Sequence, residues 1–227
     1  MRLFKLLVLV LIGLAVLWQG WYLGWVVWWK YSDPNMTRFM EIRRDELQQK
    51  KPHAELKHQW QNYERISDHL KRAVIAAEDD KFVDHEGFDW EGMQKALEKN
   101  QKKGKVVAGG STISQQLAKN LFLSPAKTPW RKAQEALITL MLEALWDKQR
   151  ILEVYLNVVE WGEGVFGAEA AARRYYGVSA SSLNPEQAAR LAVMLPAPRR
   201  YERNPYSDFM NAHTQIILGR MQHSELP

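Results

Sequence analysis

The sequence predicts an all-α, mainly helical protein in which one N-terminal transmembrane helix precedes a single folded domain. Three observations support this prediction: an uncharged run from residue 6 to residue 29, capping residues before apolar periodic segments, and a near absence of strand-like alternation. With 227 residues, 46% of them hydrophobic and 25% charged, the chain has the composition of a globular protein that can build a core.

The composition excludes several kinds of site. The chain has no cysteine, which excludes a disulfide scaffold, a thiolate zinc site and a cysteine nucleophile. Its formal net charge of +5 is a mild excess that does not indicate nucleic acid. We therefore expect any catalysis to use oxygen or nitrogen groups, and we expect no nucleic-acid partner.

The uncharged run is long enough to cross a membrane. A helix over Leu6 to Trp29 is roughly 36 Å long at ~1.5 Å per residue, against a hydrocarbon core of ~30 Å. A cleavable signal peptide has a shorter apolar region and a small-residue cleavage site, whereas this run ends in tryptophans. Arg2 and Lys5 precede the run, which predicts a cytoplasmic N-terminus and a domain on the outer side of the membrane. In a bacterium this side is the periplasm.

The chain divides into three parts. Residues 1–31 are the cytoplasmic N-terminus and anchor, residues 32–63 a polar juxtamembrane connector, and residues 64–227 the domain. We expect the connector to hold one helix, from Thr37 to Gln49, and to space the domain from the membrane. For the domain itself we expect a single, mainly α fold of eight or more helices. Those of the domain include Ser67 to Ala77, Asp89 to Gly104, Ser111 (or Thr112) to Leu123, Ala168 to Tyr176, and two that start at Thr128-Pro129 and Asn184-Pro185.

Three consecutive carboxylates, Glu78, Asp79 and Asp80, end the helix that begins after Ser67. Negative charge there is disfavoured by the helix dipole by ~0.3 to 1 kcal/mol per group. One interpretation is a solvated helix end. The other is functional, because adjacent carboxylates raise one another's pKa and a carboxylate with a raised pKa is a competent general base.

The segment GGSTISQQLAKN, residues 109–120, predicts a helix whose N-terminus is open to an anion. A helical wheel gathers its amides and its lysine on one arc, without a carboxylate. This arc is either a ligand-binding face or an ordinary surface. Its residues are Thr112, Gln115, Gln116, Lys119 and Asn120, with Ser111 at the helix start.

The helix that starts at Pro129 carries Arg131 and Lys132 in its first turn, where positive charge opposes the helix dipole. A bound phosphate would resolve that conflict. From Ala136 to Trp146 the helix is almost entirely apolar, so we expect it to be buried on most sides, with Glu135 near the core and in need of a partner. A purely structural ion pair between Arg131 and Glu135 is the alternative.

Other features receive simpler interpretations. His85 has no second histidine at ligand spacing and is predicted to be structural. The apolar loop from Asn120 to Trp130 is expected to dip into the membrane interface near the anchor. The segment from Gly104 to Ala108 is expected to be mobile until substrate binds.

Five ordered segments together resemble the peptidoglycan glycosyltransferases of family 51, in particular the monofunctional biosynthetic ones. One small departure is Ser114, where threonine is commoner in the family. The segments are EDDKFVDHEG (residues 78–87), GGSTISQQLAKN (109–120), RKAQE (131–135) with KQRILEVYLN (148–157), GVFGAEAAARRYYG (164–177) and AARLAVMLPAPRRYERNP (188–205).

This resemblance implies a lysozyme-like helical fold and the polymerisation of lipid II into β1,4-linked strands, with inversion and release of undecaprenyl diphosphate. Glu78 corresponds to the general base and Glu135 to a second essential acidic residue. Lys119, Arg131 and Lys127 match positions that hold the diphosphate. A divalent cation such as Mg²⁺ is a candidate helper without an assigned ligand. Further substrate contacts are assigned to Asp79, Ser111, Thr112, Gln115, Gln116, Asn120 and Lys132.

The resemblance also implies partners and a location, namely lipid II, the growing glycan strand, the bacterial inner membrane, and other cell-wall or division proteins. The sequence has no SxxK, SxN and KTG set, so we expect no transpeptidase activity. Two alternatives stay open. A lytic transglycosylase-like hydrolase would cleave strands, although cleaving a neutral glycan needs no cationic cradle, and a non-catalytic cell-wall scaffold would keep the fold without activity.

Overall fold

The computed structural model describes residues 1–105 and 109–227, so the predicted mobile segment from Gly104 to Ala108 falls largely outside the described residues. Helices dominate this described part, and three short strands accompany them. The helices are α1 (Arg2–Tyr31), α2 (Arg38–Lys50), α3 (Asp68–Glu78), α4 (Trp90–Lys103), α5 (Ile113–Phe122), α6 (Pro129–Leu145), α7 (Lys148–Val158), α8 (Ala168–Tyr176), α9 (Pro185–Met194), α10 (Pro198–Tyr201) and α11 (Asp208–Arg220). The strands are β1 (Lys57–His58), β2 (Glu160–Gly162) and β3 (Val165–Phe166).

Two groups of helices surround one hydrophobic core. In the first group α3, α9 and α11 pack on one another, and in the second α5 packs between α6 and α7. The largest fully buried side chains include Trp161, Tyr155 and Phe82, which come from three different regions of the chain. The prediction of a mainly helical domain is confirmed.

The predicted caps are confirmed in most cases. The side chains of Ser67, Asp89 and Thr128 each accept a hydrogen bond from a backbone N–H in the first turn of the helix that follows. Asn184 forms a full capping box with Gln187. Of the two candidates at the start of α5, the cap is Thr112 rather than Ser111.

The small sheet was not predicted. Strand β3 lies in the middle, parallel to β1 and antiparallel to β2. Because each strand has only two or three residues, no alternating pattern long enough to recognise exists in the sequence.

The connector is part of the folded body rather than a spacer. Its helix α2 is capped by Thr37, as expected for a helix from Thr37 to Gln49, and it packs against α5. Phe39 and Met40 are buried against Phe166 of β3. The buried side of α2 could not be recognised in the sequence, because charged residues dominate the composition of this helix.

Helix α1 meets the length and composition expected of a membrane span, with a mean hydropathy of 2.2 over its most apolar window. Residues 1–18 are exposed throughout, and the first partly buried residue is Gln19. From there on, α1 lies along α6. The helix therefore fits a single-pass anchor whose second half rests on the domain.

The prediction that α6 is buried on most sides is wrong. Ile138, Thr139 and Leu142 are buried, but Leu137 and Leu140 are 45% and 53% exposed. Trp130, in the first turn, is 82% exposed. Apolar residues in a sequence do not reveal whether a helix side faces the core or lipid. The exposed apolar residues belong to the same helix, α6, that contacts the anchor.

Candidate active site

Glu78 is the last residue of α3, and its carboxylate is partly buried. The Gln116 side-chain amide donates a 2.6 Å hydrogen bond to Glu78 Oε2. Burial raises the pKa of Glu78 above its usual value of 4.5, and this effect outweighs the opposing hydrogen bond from Gln116 and the attraction of Lys119. A carboxylate of this kind is suited to accept a proton near neutral pH.

Asp79, the next residue, points to different partners. Its Oδ2 accepts the Ile113 backbone N–H at 2.9 Å, at the start of α5. Its Oδ1 lies 2.8 Å from His85 Nε2. Because His85 Nδ1 accepts the Gly87 N–H at 3.1 Å, Nε2 carries the proton and donates to Asp79. In this structure Asp79 therefore joins the end of α3 to the start of α5, and His85 has a structural partner.

Thr112 and Gln115 are occupied within α5 itself. Their side chains form a capping box, in which each accepts a hydrogen bond from the other's backbone N–H. The Thr112 hydroxyl also donates to the Gly87 carbonyl oxygen at 2.7 Å. Both side chains are buried, so part of the predicted polar arc builds the site instead of facing solvent.

Glu135 lies one turn inside α6 and is only 3% exposed. Arg131 NH1 donates to Glu135 Oε2 at 2.6 Å, and Lys132 Nζ donates to Oε1. Lys132 also reaches the Ser111 hydroxyl at 3.3 Å. The ion pair of the structural alternative is therefore present, but it leaves the buried Nε–H of Arg131 without an acceptor among the described residues.

The charge of Lys119 interacts with both glutamates of the site, Glu78 and Glu135. Burial lowers the pKa of Lys119 below its usual value of 10.5, while the negative charges of Glu135 and Glu78 act in the opposite direction. Arg131 and Lys132 reinforce the lowering. An ammonium group held among other cations gains most from a bound anion, because the anion relieves their mutual repulsion.

These side chains surround a cleft of about 440 Å³, within the range typical of ligand sites. On the side of α5 and α6 its lining has four cations against one carboxylate. The predicted residues that line the cleft are Ser111, Gln115, Gln116, Lys119, Asn120, Lys127, Arg131, Lys132 and Glu135. Glu78, Asp79 and Thr112 line a smaller adjoining pocket, and Ser111 borders both.

A second wall of the cleft was missed in the sequence. Glu160, only 5% exposed, lies 2.7 Å from Arg199 Nε and 3.2 Å from Arg43 Nε. Both arginines also contact Glu46. This network is balanced in charge and ties α2 and α10 to β2. Its members are far apart in the sequence, and Arg199 lies in a segment for which we had predicted no individual role.

The described residues contain no group of three or more His, Asp or Glu side chains placed to hold a metal ion. Asp79, the carboxylate nearest to Glu78 in sequence, already holds a backbone N–H and a histidine. The donor set of the site therefore does not fit a metal ion held by the protein alone.

Comparison with known proteins identifies close relatives over the whole chain. The transglycosylase family profile matches residues 44–222. A biosynthetic peptidoglycan transglycosylase of Dechloromonas aromatica is 67% identical over 226 residues, covering 100% of this chain and 98% of that protein. Proteins of the same name from Aromatoleum aromaticum and Nitrosospira multiformis are 65% and 56% identical, covering 96% and 100% of this chain and 95% and 98% of their own lengths.

Proposed function

Because the chain belongs to the transglycosylase family, we propose that it polymerises lipid II into β1,4-linked glycan strands and releases undecaprenyl diphosphate. The observation that carries the proposal is the arrangement of Glu78 and Glu135 around one cationic cluster. A hydrolase acting on a neutral glycan has no use for four cations beside its acidic residues. The cluster has the charge that a diphosphate leaving group needs.

In this mechanism Glu78 accepts the proton of the acceptor sugar's 4-hydroxyl. The hydroxyl oxygen then attacks the anomeric carbon of the donor as the bond from that carbon to the diphosphate breaks. The α-linked donor gives a β-linked product, so the configuration inverts and no covalent glycosyl-enzyme forms. General base catalysis contributes ~10² to 10⁴ in rate, and the rest comes from orientation and from stabilising the diphosphate.

The cations have distinct roles in holding the diphosphate. Lys119 and Lys132 supply ammonium donors, and Lys127 is exposed at the cleft edge. A phosphate oxygen in the cleft would supply the acceptor that the buried Arg131 Nε–H lacks. Glu135 keeps Arg131 and Lys132 in place through its two ion pairs.

A divalent cation such as Mg²⁺ enters the proposal only as a companion of the substrate. It would supply additional positive charge to the phosphate oxygens. Glu78 and Asp79 line the adjoining pocket rather than the cationic cleft, and Asp79 is already bonded to α5. The chain's own contribution to the leaving group is therefore assigned to its lysines and arginines.

We further propose that the protein lies in the inner membrane with residues 1–5 in the cytoplasm and the catalytic domain in the periplasm. Arg2 and Lys5 before the span and the aromatic residues at its far end support this orientation. The chain has no cysteine, so a Ser181→Cys variant carries one thiol, at an exposed site. An impermeant maleimide should label it in intact spheroplasts, and labelling only after lysis would contradict the orientation.

The decisive experiment incubates the full chain with labelled lipid II and separates the products with and without a muramidase. We expect high-molecular-weight material that the muramidase degrades. If lipid II is untouched and preformed glycan strands become shorter, the protein is a hydrolase. If neither substrate changes, the protein acts as a scaffold.

A further inference from the structure

The anchor contains a side-chain amide at Gln19, in an otherwise apolar part of the span. This amide forms a reciprocal pair with Gln134 of α6. Gln19 Nε2 donates to Gln134 Oε1 at 2.9 Å, and Gln134 Nε2 donates to Gln19 Oε1 at 3.0 Å. Gln134 is 7% exposed and Gln19 is partly buried, so the pair lies largely between the two helices.

Gln134 is next to the catalytic cluster in the sequence. It directly precedes Glu135 and follows Arg131 by three residues. Successive residues of an α-helix point about 100° apart, so the rotation of α6 that turns Gln134 to the anchor also turns Glu135 to the cleft. A rotation of α6 as a rigid helix against the anchor would therefore also move Glu135 and Arg131.

Two further ties hold the anchor. The Trp146 indole donates to the Val26 carbonyl oxygen at 2.8 Å. Arg150 donates to the carbonyl oxygens of Trp29 at 2.9 Å and Ser32 at 2.7 Å. From Gln19 to Ser32 the three ties extend over roughly 20 Å at ~1.5 Å per residue. Of the three, the glutamine pair is the one beside the first turns of α6.

The depth of the pair in the predicted membrane span increases the importance of its hydrogen bonds. Gln19 lies roughly 21 Å along the helix from Lys5, inside a hydrocarbon core of ~30 Å. Interhelical side-chain hydrogen bonds of this kind stabilise helix association in membranes, because few other hydrogen-bonding partners are available at that depth. Removing one partner leaves the other amide without its hydrogen bonds in a largely apolar setting, which destabilises this packing of α6 on the anchor.

We propose that Gln19 and Gln134 are positioning residues for the transfer reaction. Through this pair the anchor fixes the rotation and depth of the start of α6, and so places Arg131 and Glu135 against the diphosphate of the membrane-bound substrate. The inference rests on the proposed function. It assigns to the membrane helix a part in building the cleft, in addition to tethering the protein.

The first test compares Gln19→Leu, Gln134→Leu and the double variant in liposomes that contain lipid II. Each single variant should lower kcat about five- to tenfold, with KM within about twofold, and the double variant should be no worse than either single one. Gln215→Leu, at an exposed glutamine on α11, which packs on α3 and α9, is the matched control and should keep full activity. Unchanged kcat in the single variants, or losses that multiply in the double variant, would overturn the inference.

A second test uses the absence of cysteine. In a Gln19→Cys/Gln134→Cys variant, a short bis-thiosulfonate cross-linker should join α1 to α6 in the membrane, which gels detect without any activity assay. The cross-linked protein should recover most of the lost kcat, whereas the untreated variant should stay slow. A cross-link that forms without restoring the rate refutes positioning by the pair. An inactive wild type with an efficient cross-link would refute the proposed function instead.

Discussion

Glu78 combines an unfavourable position with few compensating bonds. It ends α3, where the helix dipole disfavours its negative charge. Its carboxylate accepts a hydrogen bond from the neutral side-chain amide of Gln116. Tyr155, which is fully buried, donates to Gln116 Oε1 at 3.1 Å and so turns the amide N–H towards Glu78. These contacts orient the Glu78 carboxylate, while its burial and its place at the helix end destabilise the charged form and so favour acceptance of a proton.

Glu78→Gln should abolish polymerisation and leave the fold intact. The amide keeps the shape of the side chain but cannot accept the proton, so the rate should fall by about 10² to 10⁴. Glu98→Gln is the matched control, because Glu98 is exposed on α4 and lines neither pocket of the site. Both variants are assayed with lipid II and melted by circular dichroism. Appreciable activity in Glu78→Gln, with normal melting, would remove Glu78 from the role of base.

Gln116→Leu should move the acidic limb of the pH profile to higher pH. The base works only when deprotonated, so activity falls as the pH drops through the pKa of Glu78. The Gln116 hydrogen bond lowers that pKa, and its loss raises the pKa further. The measurement is kcat/KM against pH, with Gln94→Leu, at an exposed site on α4, as control. A limb that stays in place or moves to lower pH would contradict the assignment.

Individual residues could be predicted from the sequence to different extents. Glu78 and Arg131 were singled out because their charges oppose the helix dipole, Glu135 because it lies near the core and needs a partner, and Lys119 because its polar arc carries no carboxylate. The structure brings all four together. The bond from Asp79 to α5 could not be predicted, because it depends on how the end of α3 meets the start of another helix. The network of Arg43 and Glu160 was missed for the same reason.

At the scale of elements, the start of α5 is fixed from two sides. The Asp79 carboxylate holds its first N–H, and the Gly87 carbonyl holds the hydroxyl of its cap, Thr112. Gly87 has a φ of +88°, and a Cβ there would lie 2.8 Å from Thr139 Cγ2 and 2.9 Å from Glu143 Cγ. This glycine is required because the loop passes directly over α6.

Gly87→Ala should be more damaging than an alanine at a comparable glycine. Gly177 has a φ of +69° but open space around it, so Gly177→Ala should cost only the backbone strain, about 1 to 2 kcal/mol. Gly87→Ala adds a clash that should cost at least about 1 kcal/mol more. Chemical unfolding of both variants measures the difference. Equal losses would show that the loop can move away from α6.

The elements that sequence reasoning located well are those with local signals. Caps such as Asp89 and Asn184 act within one turn, so their residues carry the information without the rest of the fold. The sheet has no such local signal in strands of two or three residues. The exposure of α6 depends on which solvent surrounds it, and apolar residues look the same whether they face a core or a lipid.

At the scale of the whole molecule, the anchor and the domain form one body. Phe122, at the end of α5, packs between the rings of Tyr22 and Trp29, with centroid distances of 5.4 and 5.2 Å. This places the start of the segment from Asn120 to Trp130 beside the anchor, while its entry into the membrane interface stays a prediction. The exposed leucines of α6 lie on the helix that packs along the anchor, so we expect them to contact lipid.

Replacing Leu137 and Leu140 together by serine should reduce polymerisation severalfold in liposomes, because burying each leucine in lipid is worth about 1.5 to 3 kcal/mol. In detergent, which adapts to the altered surface, the rate should change little. Ile216→Ser is the control, since Ile216 is 53% exposed on α11, which packs on α3 and α9. Equal losses in both media would indicate misfolding rather than poor seating in the membrane.

The cationic first turn of α6 lies close to the anchor, and this position determines the direction from which the substrate reaches the enzyme. Lipid II that stays in the bilayer arrives by lateral diffusion, and the released lipid carrier leaves sideways by the same route. The quantity that controls turnover is then the number of substrate molecules per unit area of membrane. Adding buffer to a vesicle suspension leaves that number unchanged, whereas blending extra phospholipid into the same vesicles lowers it and slows each enzyme molecule.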